Sequence, residues 1–263
     1  MILGYHGSIS GGIVKAIDHL HSNGCNAIQV FIHNPQSAKI KIITDDECAN
    51  IKQSLIKKSM TMVIHSPYIL NLAKLNPHSV SMLQSELIYA HKMGAIGTVI
   101  HMGKTTDMDK VECDNNFKTQ VLSIAQFIKD NNLSSKLILE TPAGQGTEMY
   151  TAVDDFVRMF LSFKNMQRYL GLCLDTCHMW ASDSMILDKY VPLLPYIRVI
   201  HLNDAKGTRG CRKDRHEDIG KGSIGWDNLR VWVQFAKENR IPIILETPAE
   251  DHTEELTLCK SIS

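Results

Sequence analysis

The feature that most constrains this chain is an eightfold alternation of short apolar runs with amphipathic segments along its 263 residues. The apolar runs are rich in β-branched residues and almost continuously hydrophobic, which is typical of parallel strands buried on both faces. Strands are predicted at residues 2–6, 27–33, 61–66, 97–103, 136–141, 170–176, 197–204 and 241–248. Eight βα units in succession predict an α/β fold, the TIM (β/α)8 barrel. An open, doubly wound sheet is the alternative.

The segments between the strands carry helical signals. Apolar positions repeat at helical spacing over residues 13–20, and Gly24 then supplies a stop. Thr44 and Glu47 are spaced as a capping box at the start of the next helix. Because no linker or low-complexity tract interrupts the series, we expect residues 1–263 to form a single barrel domain.

Composition excludes several classes of protein. Lys and Arg total 28, as do Asp and Glu, so any affinity for a polyanion requires a local basic patch. The apolar runs are too short to span a bilayer, and the N-terminus lacks the features of a signal peptide, so no membrane partner is expected. Seven scattered cysteines without a CxxC pair favour an intracellular, reducing compartment, for which cytoplasm, nucleus and virion all qualify.

Ionisable side chains concentrate at the predicted C-terminal ends of the strands and just after them, where a barrel carries its functional groups. The five histidines and four carboxylates are His65, His101, Glu140, Asp175, His178, His201, Asp214, His216 and Glu246. Burying unpaired carboxylates costs on the order of several kcal/mol each, and divalent cations would remove that cost. Imidazole with carboxylate suits zinc, with manganese as a substitute. Nine ligands are too many for one ion but match three ions with a bridging carboxylate.

Five segments resemble the endonuclease IV family of apurinic/apyrimidinic (AP) endonucleases. They are HSPYILNLA (65–73), LETPAGQG (139–146), LDTCH (174–178), HLNDAKGTRGCRKDRHEDIGKGSIG (201–225) and ILETP (244–248). The resemblance implies a zinc-dependent enzyme of base excision repair that hydrolyses the phosphodiester 5′ to an abasic site in duplex DNA. It implies 3′-hydroxyl and 5′-deoxyribose phosphate products, and removal of 3′ blocking groups as a second activity. We expect a monomer, which suits an enzyme that wraps bent duplex.

The resemblance also distributes the candidate ligands among three zinc ions. It implies His65, His101 and Glu140 for the first ion, Glu140, Asp175, His201 and Glu246 for the second, and His178, Asp214 and His216 for the third. Glu140, Glu246 and His178 are the implied catalytic residues.

Contacts to damaged double-stranded DNA are implied for residues in three loops. They are Gln36, Tyr68, Ile69, Lys206, Arg209, Arg212, Lys213 and Arg215. The basic side chains would neutralise phosphates, which gives affinity without sequence preference, and the loop of Tyr68 would enter the minor groove. The chain departs from the family at Gln36 and Ala38, where members usually carry Arg and Trp. It also has MWASDSM (179–185) where a Gly-Tyr-Asp is common.

Other functions compete with this interpretation. Glu140, Asp175, His201 and Glu246 match the single-metal arrangement of sugar isomerases and epimerases of the xylose-isomerase-like barrels, in which the two glutamates move protons. That function leaves the other five ligands and the basic loop unexplained. A non-catalytic DNA-binding barrel would have no reason to keep the ligands.

Three further residues lie beside these ligands in the sequence. His6 ends the first predicted strand and is a candidate for orienting the site. Cys173 and Cys177 flank Asp175 and are predicted to be packing residues that point away from the rim.

Overall fold

The computed structural model describes residues 1–37 and 39–262, and its main element is a closed barrel of eight parallel strands. The strands of the protein are β1 (Leu3–His6), β2 (Ala27–Val30), β3 (Thr61–His65), β4 (Gly97–Ile100), β5 (Lys136–Glu140), β6 (Leu170–Asp175), β7 (Ile197–Leu202), β8 (Asp204–Ala205), β9 (His216–Glu217) and β10 (Ile243–Leu245). The barrel order is β1-β10-β7-β6-β5-β4-β3-β2, and β8 and β9 form a separate antiparallel ribbon. Because β1 pairs with β10, Leu3 opposite Ile243, the sheet has no open edge. The predicted TIM barrel is confirmed and the open sheet is excluded.

Helices surround the barrel. They are α1 (Ile13–Ser22), α2 (Asp45–Lys58), α3 (Pro77–Met93), α4 (Lys110–Asp130), α5 (Val153–Ser162), α6 (Thr176–Ala181), α7 (Leu187–Tyr190), α8 (Trp226–Glu238) and α9 (Thr253–Lys260), with 3-10 turns at Lys164–Tyr169 and Val191–Tyr196. The predicted capping box of α2 is confirmed, since Glu47 N donates to Thr44 Oγ1 at 3.2 Å and Thr44 N donates to Glu47 Oε2 at 2.8 Å. Within the described residues, no helix has both the length and the apolar character needed to cross a bilayer.

Several strands are shorter than predicted. The segment predicted at 27–33 pairs only over Ala27–Val30, and the segment predicted at 241–248 pairs only over Ile243–Leu245. A parallel ladder extends only as far as both neighbouring strands continue. Beyond that point the apolar residues are buried under loops. Hydrophobicity alone does not distinguish such residues from those of a strand.

The barrel interior contains an apolar layer to which seven strands contribute one residue each. Its residues are Ala27, Val63, Val99, Ile138, Cys173, Val199 and Ile244. Alternate residues of a strand share a face, so the residue two positions further on points into the barrel one level nearer its C-terminal mouth. The prediction for Cys173 is therefore wrong in direction, because Cys173 and Asp175 share the inner face. Cys173 is fully buried, as a packing residue should be.

Candidate metal centre

The level above the apolar layer is polar in every one of the seven strands. Its residues are Gln29, His65, His101, Glu140, Asp175, His201 and Glu246. Five of them are at most 2% exposed: Gln29, His65, Glu140, Asp175 and His201. The remaining predicted ligands reach the same mouth from α6, which carries His178, and from the segment before and within β9, which carries Asp214 and His216. The barrel thus brings all nine predicted ligands together.

The nine residues form three groups in which the potential ligand atoms lie within 4.8 Å of one another. The groups are His65, His101 and Glu140; Glu140, Asp175, His201 and Glu246; and His178, Asp214 and His216. Glu140 belongs to two groups, which is the arrangement that a bridging carboxylate requires. The thiols of Cys173 and Cys177 also approach these groups. Burial raises the pKa of both thiols, which disfavours the thiolate that a metal would need.

The two oxygens of Glu140 face different groups. Oε2 lies 3.1 Å from Nε2 of His101 and 3.5 Å from Nε2 of His65. Oε1 lies 2.8 Å from Nδ1 of His201. Glu140 Oε2 is buried and has no hydrogen-bond partner among the described residues, so it is a free acceptor inside the first group.

Three histidines have one ring nitrogen fixed by the backbone. Nδ1 donates to a carbonyl oxygen in each: His65 to Ser66 at 2.7 Å, His178 to Thr141 at 2.9 Å and His216 to Glu246 at 3.0 Å. Such a bond selects the tautomer whose Nε2 carries a lone pair, and it is the usual support of metal-binding histidines.

In the third group, two imidazole nitrogens face one carboxylate. Nε2 of His178 and of His216 lie 3.2 and 3.0 Å from the carboxylate of Asp214. Both nitrogens are buried, yet neither has a hydrogen-bond partner of good geometry among the described residues. Buried polar atoms that converge in this way are satisfied by a cation. The donor set of the centre, imidazole and carboxylate, fits zinc or a similar divalent ion.

Mutual charge stabilises the ionised forms despite burial. Burial alone would raise the pKa of Glu140, but the charges of His101 and His201 hold that pKa well below its usual value. Burial alone would lower the pKa of His201, but Glu246 and Glu140 raise it to about 9. Burial likewise opposes protonation of His216, whose pKa Asp214 and Asp175 raise to about 9. Divalent ions therefore compete with protons for these rings.

Two neutral amides in the centre were not predicted. Asn203 is fully buried; its Nδ2 donates to Asp175 Oδ2 at 2.7 Å, and its Oδ1 accepts from Glu246 N at 2.9 Å. Gln29 is also fully buried and contacts His6, His201 and Glu246. In the sequence, each of these residues is visible only as a single amide inside an apolar run, Gln29 in AIQVF and Asn203 in IHLND.

A cavity of about 420 Å³ opens beside the first and third groups. Tyr68 and Ile69 line it and are 57% and 48% exposed. The Tyr68 ring lies 5.6 Å from that of His65 and 5.4 Å from that of His101. Lys104 also lines the cavity, 3.5 Å from Glu148. The structure thus puts two of the predicted DNA-contacting residues directly beside the candidate ligands.

The basic loop between β8 and β9 presents its charged side chains to solvent. Lys206, Arg209, Arg212, Lys213 and Arg215 are all exposed. Arg209 already has a counter-charge, since its guanidinium contacts Asp183 and lies 5.8 Å from the centre of the Trp180 ring. The loop thus has four basic side chains that form no ion pair with any described acidic residue, together with Arg209.

The loop after β2 packs against the loop after β3. Pro35 accepts a hydrogen bond from Tyr68 N at 3.1 Å, and Gln36, next in the chain, is exposed. His33 is buried, with Nδ1 accepting from Lys41 N at 3.1 Å, so it closes the base of this loop. Ala38, where the family usually has Trp, lies outside the described residues.

Comparisons with known proteins connect this geometry to relatives. A profile of the xylose isomerase-like TIM barrel family matches residues 17–261. A protein of Symbiobacterium thermophilum named probable endonuclease 4 is 31% identical over 267 residues, covering 97% of this chain and 95% of that protein. The crystal structure of endonuclease IV from Thermus thermophilus matches with a TM-score of 0.86 and 24% identity, over 100% of this chain and 98% of that one. The structure of a D-tagatose 3-epimerase-like protein matches with a TM-score of 0.74 and 15% identity, over 100% and 98%. At these identities, the two structural matches show a shared fold.

Proposed function

Because this chain belongs to the endonuclease 4 family of the xylose isomerase-like TIM barrels, we propose that it is a zinc-dependent AP endonuclease of base excision repair. It hydrolyses the phosphodiester 5′ to an abasic site in duplex DNA and leaves a 3′-hydroxyl and a 5′-deoxyribose phosphate. Removal of 3′ blocking groups by the same centre is part of the proposal. The observation that carries it is the set of three ligand groups joined through Glu140 at the barrel mouth.

The residues of the three groups would hold three zinc ions, and manganese would be accepted by the same donors. When bound, zinc ions supply an activated water and neutralise charge on phosphate oxygens. Glu140 and Glu246 keep their negative charge inside the barrel, because the histidines around them lower their pKa. Nδ1 of His178 is held by the carbonyl oxygen of Thr141, and its Nε2 faces the carboxylate of Asp214.

The surroundings of the centre suit a DNA strand. Lys206, Arg212, Lys213 and Arg215 bring positive charge to phosphates on one side, which supports binding at any sequence. Tyr68 and Ile69 offer an exposed aromatic and aliphatic pair on the other side, suited to hold a nucleotide out of the base stack. The cavity that Tyr68 and Ile69 line is large enough for an extruded deoxyribose phosphate.

An incision assay combined with metal analysis tests the proposal. Wild-type protein should contain close to three zinc ions per chain and should nick a duplex with one abasic site on its 5′ side, leaving an end that a polymerase extends. His178→Ala and Glu246→Gln should each abolish cleavage, whereas His21→Ala on the exposed face of α1 should not. Full cleavage by the His178→Ala, Glu246→Gln double variant would refute the mechanism.

A second candidate function is a single-metal sugar isomerase or epimerase. The group of Glu140, Asp175, His201 and Glu246 favours it, because these four residues alone could hold one ion. The same metal analysis separates the two functions, since this one requires a single manganese or magnesium ion per chain. It also requires interconversion of ketose sugars and no incision of abasic DNA.

A further inference from the structure

Gln29 lies at the same level of the barrel as the candidate ligands, although it is not one of them. It follows Ala27 of the apolar layer by two residues, as His65 follows Val63 and Glu140 follows Ile138. Its side chain is fully buried. All three of its side-chain hydrogen bonds go to groups of the metal centre or to His6 beside it.

The orientation of the Gln29 amide follows from the charge of Glu246. Gln29 Nε2 lies 2.6 Å from Glu246 Oε1, and a carboxylate can only accept, so the amide must turn its NH2 to this side. The second N–H then points to His6 Nδ1 at 3.1 Å. The amide oxygen is left facing Nε2 of His201 at 2.8 Å.

That oxygen decides the tautomer of His201. An amide oxygen can only accept, so His201 must donate from Nε2, and when the ring is neutral, as a metal requires, its lone pair is on Nδ1. Nδ1 lies 2.8 Å from Glu140 Oε1 and 3.2 Å from Glu246 Oε2. His201 thus turns Nδ1 toward the centre, whereas His65, His178 and His216 turn Nε2 toward it.

We propose that Gln29 is a positioning residue of the second ligand group. It selects the Nδ1 tautomer of His201 and, by holding Oε1 of Glu246, keeps Oε2 of that carboxylate beside Nδ1. The inference rests on the proposed metal centre but not on the proposed DNA substrate. The strand β2 supplies no ligand. Through Gln29 it contributes a residue that orients the ligands His201 and Glu246.

The test compares two buried glutamines that each make three side-chain hydrogen bonds. Gln29→Met keeps the length of the side chain and removes all three of its bonds to the centre. The matched control is Gln120→Met in α4, where the 6% exposed amide bonds only to the backbone of Leu72, Lys74 and Asn76. Zinc stoichiometry and affinity are measured by competition with a chromophoric chelator, alongside thermal unfolding of both variants.

Loss of an orienting partner of a metal ligand weakens affinity about 10- to 100-fold. Gln29→Met should therefore bind one of the three zinc ions about 10- to 100-fold more weakly, while Gln120→Met keeps wild-type affinity at all three. Unchanged zinc affinity in Gln29→Met would overturn the inference. The inference would also be overturned if Gln120→Met, at the same loss of stability, showed the same loss of zinc. Wild-type protein that binds zinc but leaves abasic DNA intact would refute the proposed function and leave this result standing.

The tautomer itself is read from nitrogen chemical shifts of 15N-histidine at a zinc concentration that just saturates the wild type. The wild type should show one ring protonated at Nε2 and metal-bound at Nδ1, assigned through His201→Gln. Gln29→Glu retains an acceptor for His201 Nε2 but loses both donors, so it should keep that signature, while Gln29→Met should lose it. A Gln29→Met spectrum that keeps the signature would show that Gln29 does not select the tautomer.

Discussion

At the scale of single residues, buried polar side chains in this barrel fall into two kinds. The two neutral amides at the mouth, Gln29 and Asn203, find hydrogen-bond partners among the candidate ligands. Glu86 does not. It lies fully buried on the inner face of α3 with Leu83, Leu87 and Ala90, and neither carboxylate oxygen has a hydrogen-bond partner among the described residues. Burial raises the pKa of Glu86 well above its usual value, so the folded protein keeps this group neutral.

We predict that Glu86→Leu stabilises the protein in a pH-dependent way. A carboxyl whose pKa is higher in the folded than in the unfolded state costs stability as pH rises above the unfolded value of about 4.3. The gain from Leu should therefore be about 1–3 kcal/mol near pH 4.5, the usual cost of an unsatisfied buried polar group, and should grow as pH rises to 7. Urea unfolding at both pH values measures it.

Glu86→Gln is the control for this prediction. It removes the titration but leaves a polar amide without partners, so it should flatten the pH dependence and recover only part of the gain. A loss of stability in Glu86→Leu at pH 7 would contradict the prediction, because it would show that the carboxylate has a stabilising partner.

The candidate ligands were predictable because charged residues rarely end apolar strands by chance. His65, Glu140 and Asp175 stand out at such ends without any knowledge of the fold. Gln29 and Asn203 do not, because a neutral amide inside an apolar run looks like a tolerated exception. Their position becomes meaningful only with the register of the barrel, which puts Gln29 close to Glu246, with only β1 between their strands. Register is a property of strand pairing, which the sequence of one strand does not contain.

At the scale of elements, the departure from the family after DTCH has a structural counterpart. Trp180, near the end of α6, donates from Nε1 to Gly207 O at 3.1 Å and to Ser223 Oγ at 3.0 Å. The backbone N–H of Gly210 donates to Trp180 O at 3.0 Å. Through these hydrogen bonds, Trp180 connects the basic loop to the helix that carries His178.

Trp180→Phe should loosen the basic loop while leaving the metal centre intact. Phe keeps the apolar ring but lacks the indole donor, and a lost hydrogen bond costs about 1 kcal/mol, equivalent to about 5-fold in an equilibrium constant. We expect KM for an abasic duplex to rise about 3- to 10-fold with kcat nearly unchanged and zinc content equal to wild type. Steady-state incision kinetics measure both constants.

Trp226→Phe serves as the comparison, because the Trp226 indole forms no hydrogen bond within the described part of the chain. It should leave KM unaltered. A fall in zinc content in Trp180→Phe would contradict the prediction, because it would mean that Trp180 supports His178 rather than the loop.

The loop before α8 depends on one buried carboxylate. Asp204 Oδ1 accepts from Ala205 N at 2.8 Å and from Ile224 N at 2.9 Å, and Oδ2 accepts from Gly220 N at 3.0 Å. A Cβ on Gly222 would lie 2.4 Å from Asp204 Oδ1. The glycines of KGSIG therefore let the backbone wrap closely around the carboxylate.

Gly222→Ala should push the backbone of this loop away from the Asp204 carboxylate. Overpacking of this kind costs about 1–3 kcal/mol, so for a chain of this size Tm should fall by about 2–12 °C. Gly11→Ala is the control, because its Cβ would meet only the flexible side chain of Lys15 at 3.2 Å. Equal Tm values for the two variants in differential scanning calorimetry would contradict the close packing described here.

At the scale of the whole molecule, the formal net charge is zero, but acidic and basic groups are separated in space. The interior of the mouth holds four carboxylates, and the rim beside it holds the exposed basic loop. The sequence predicted this separation because the ligands and the basic residues alternate within the segment from His201 to His216. It did not predict that the carboxylates raise the pKa of His201 and of His216 to about 9, which lets protons compete with a cation for these rings.

Protons and zinc should therefore stabilise the fold in opposite pH ranges. In the metal-free protein, the raised pKa of His201 and His216 contributes stability that is complete below the unfolded value of about 6.5 and is lost as pH rises through about 9. Zinc requires the unprotonated rings, so its affinity rises over the same range. The difference in Tm between zinc-loaded and chelator-treated protein should widen from pH 6.5 to pH 9. Binding at a free zinc concentration of about 100 Kd adds about 2.7 kcal/mol, which corresponds to about 5–11 °C. Thermal scans at both pH values measure the difference, with His21→Ala as a variant that should behave as wild type. A difference that is constant, or that narrows with pH, would mean that these rings do not exchange protons for metal.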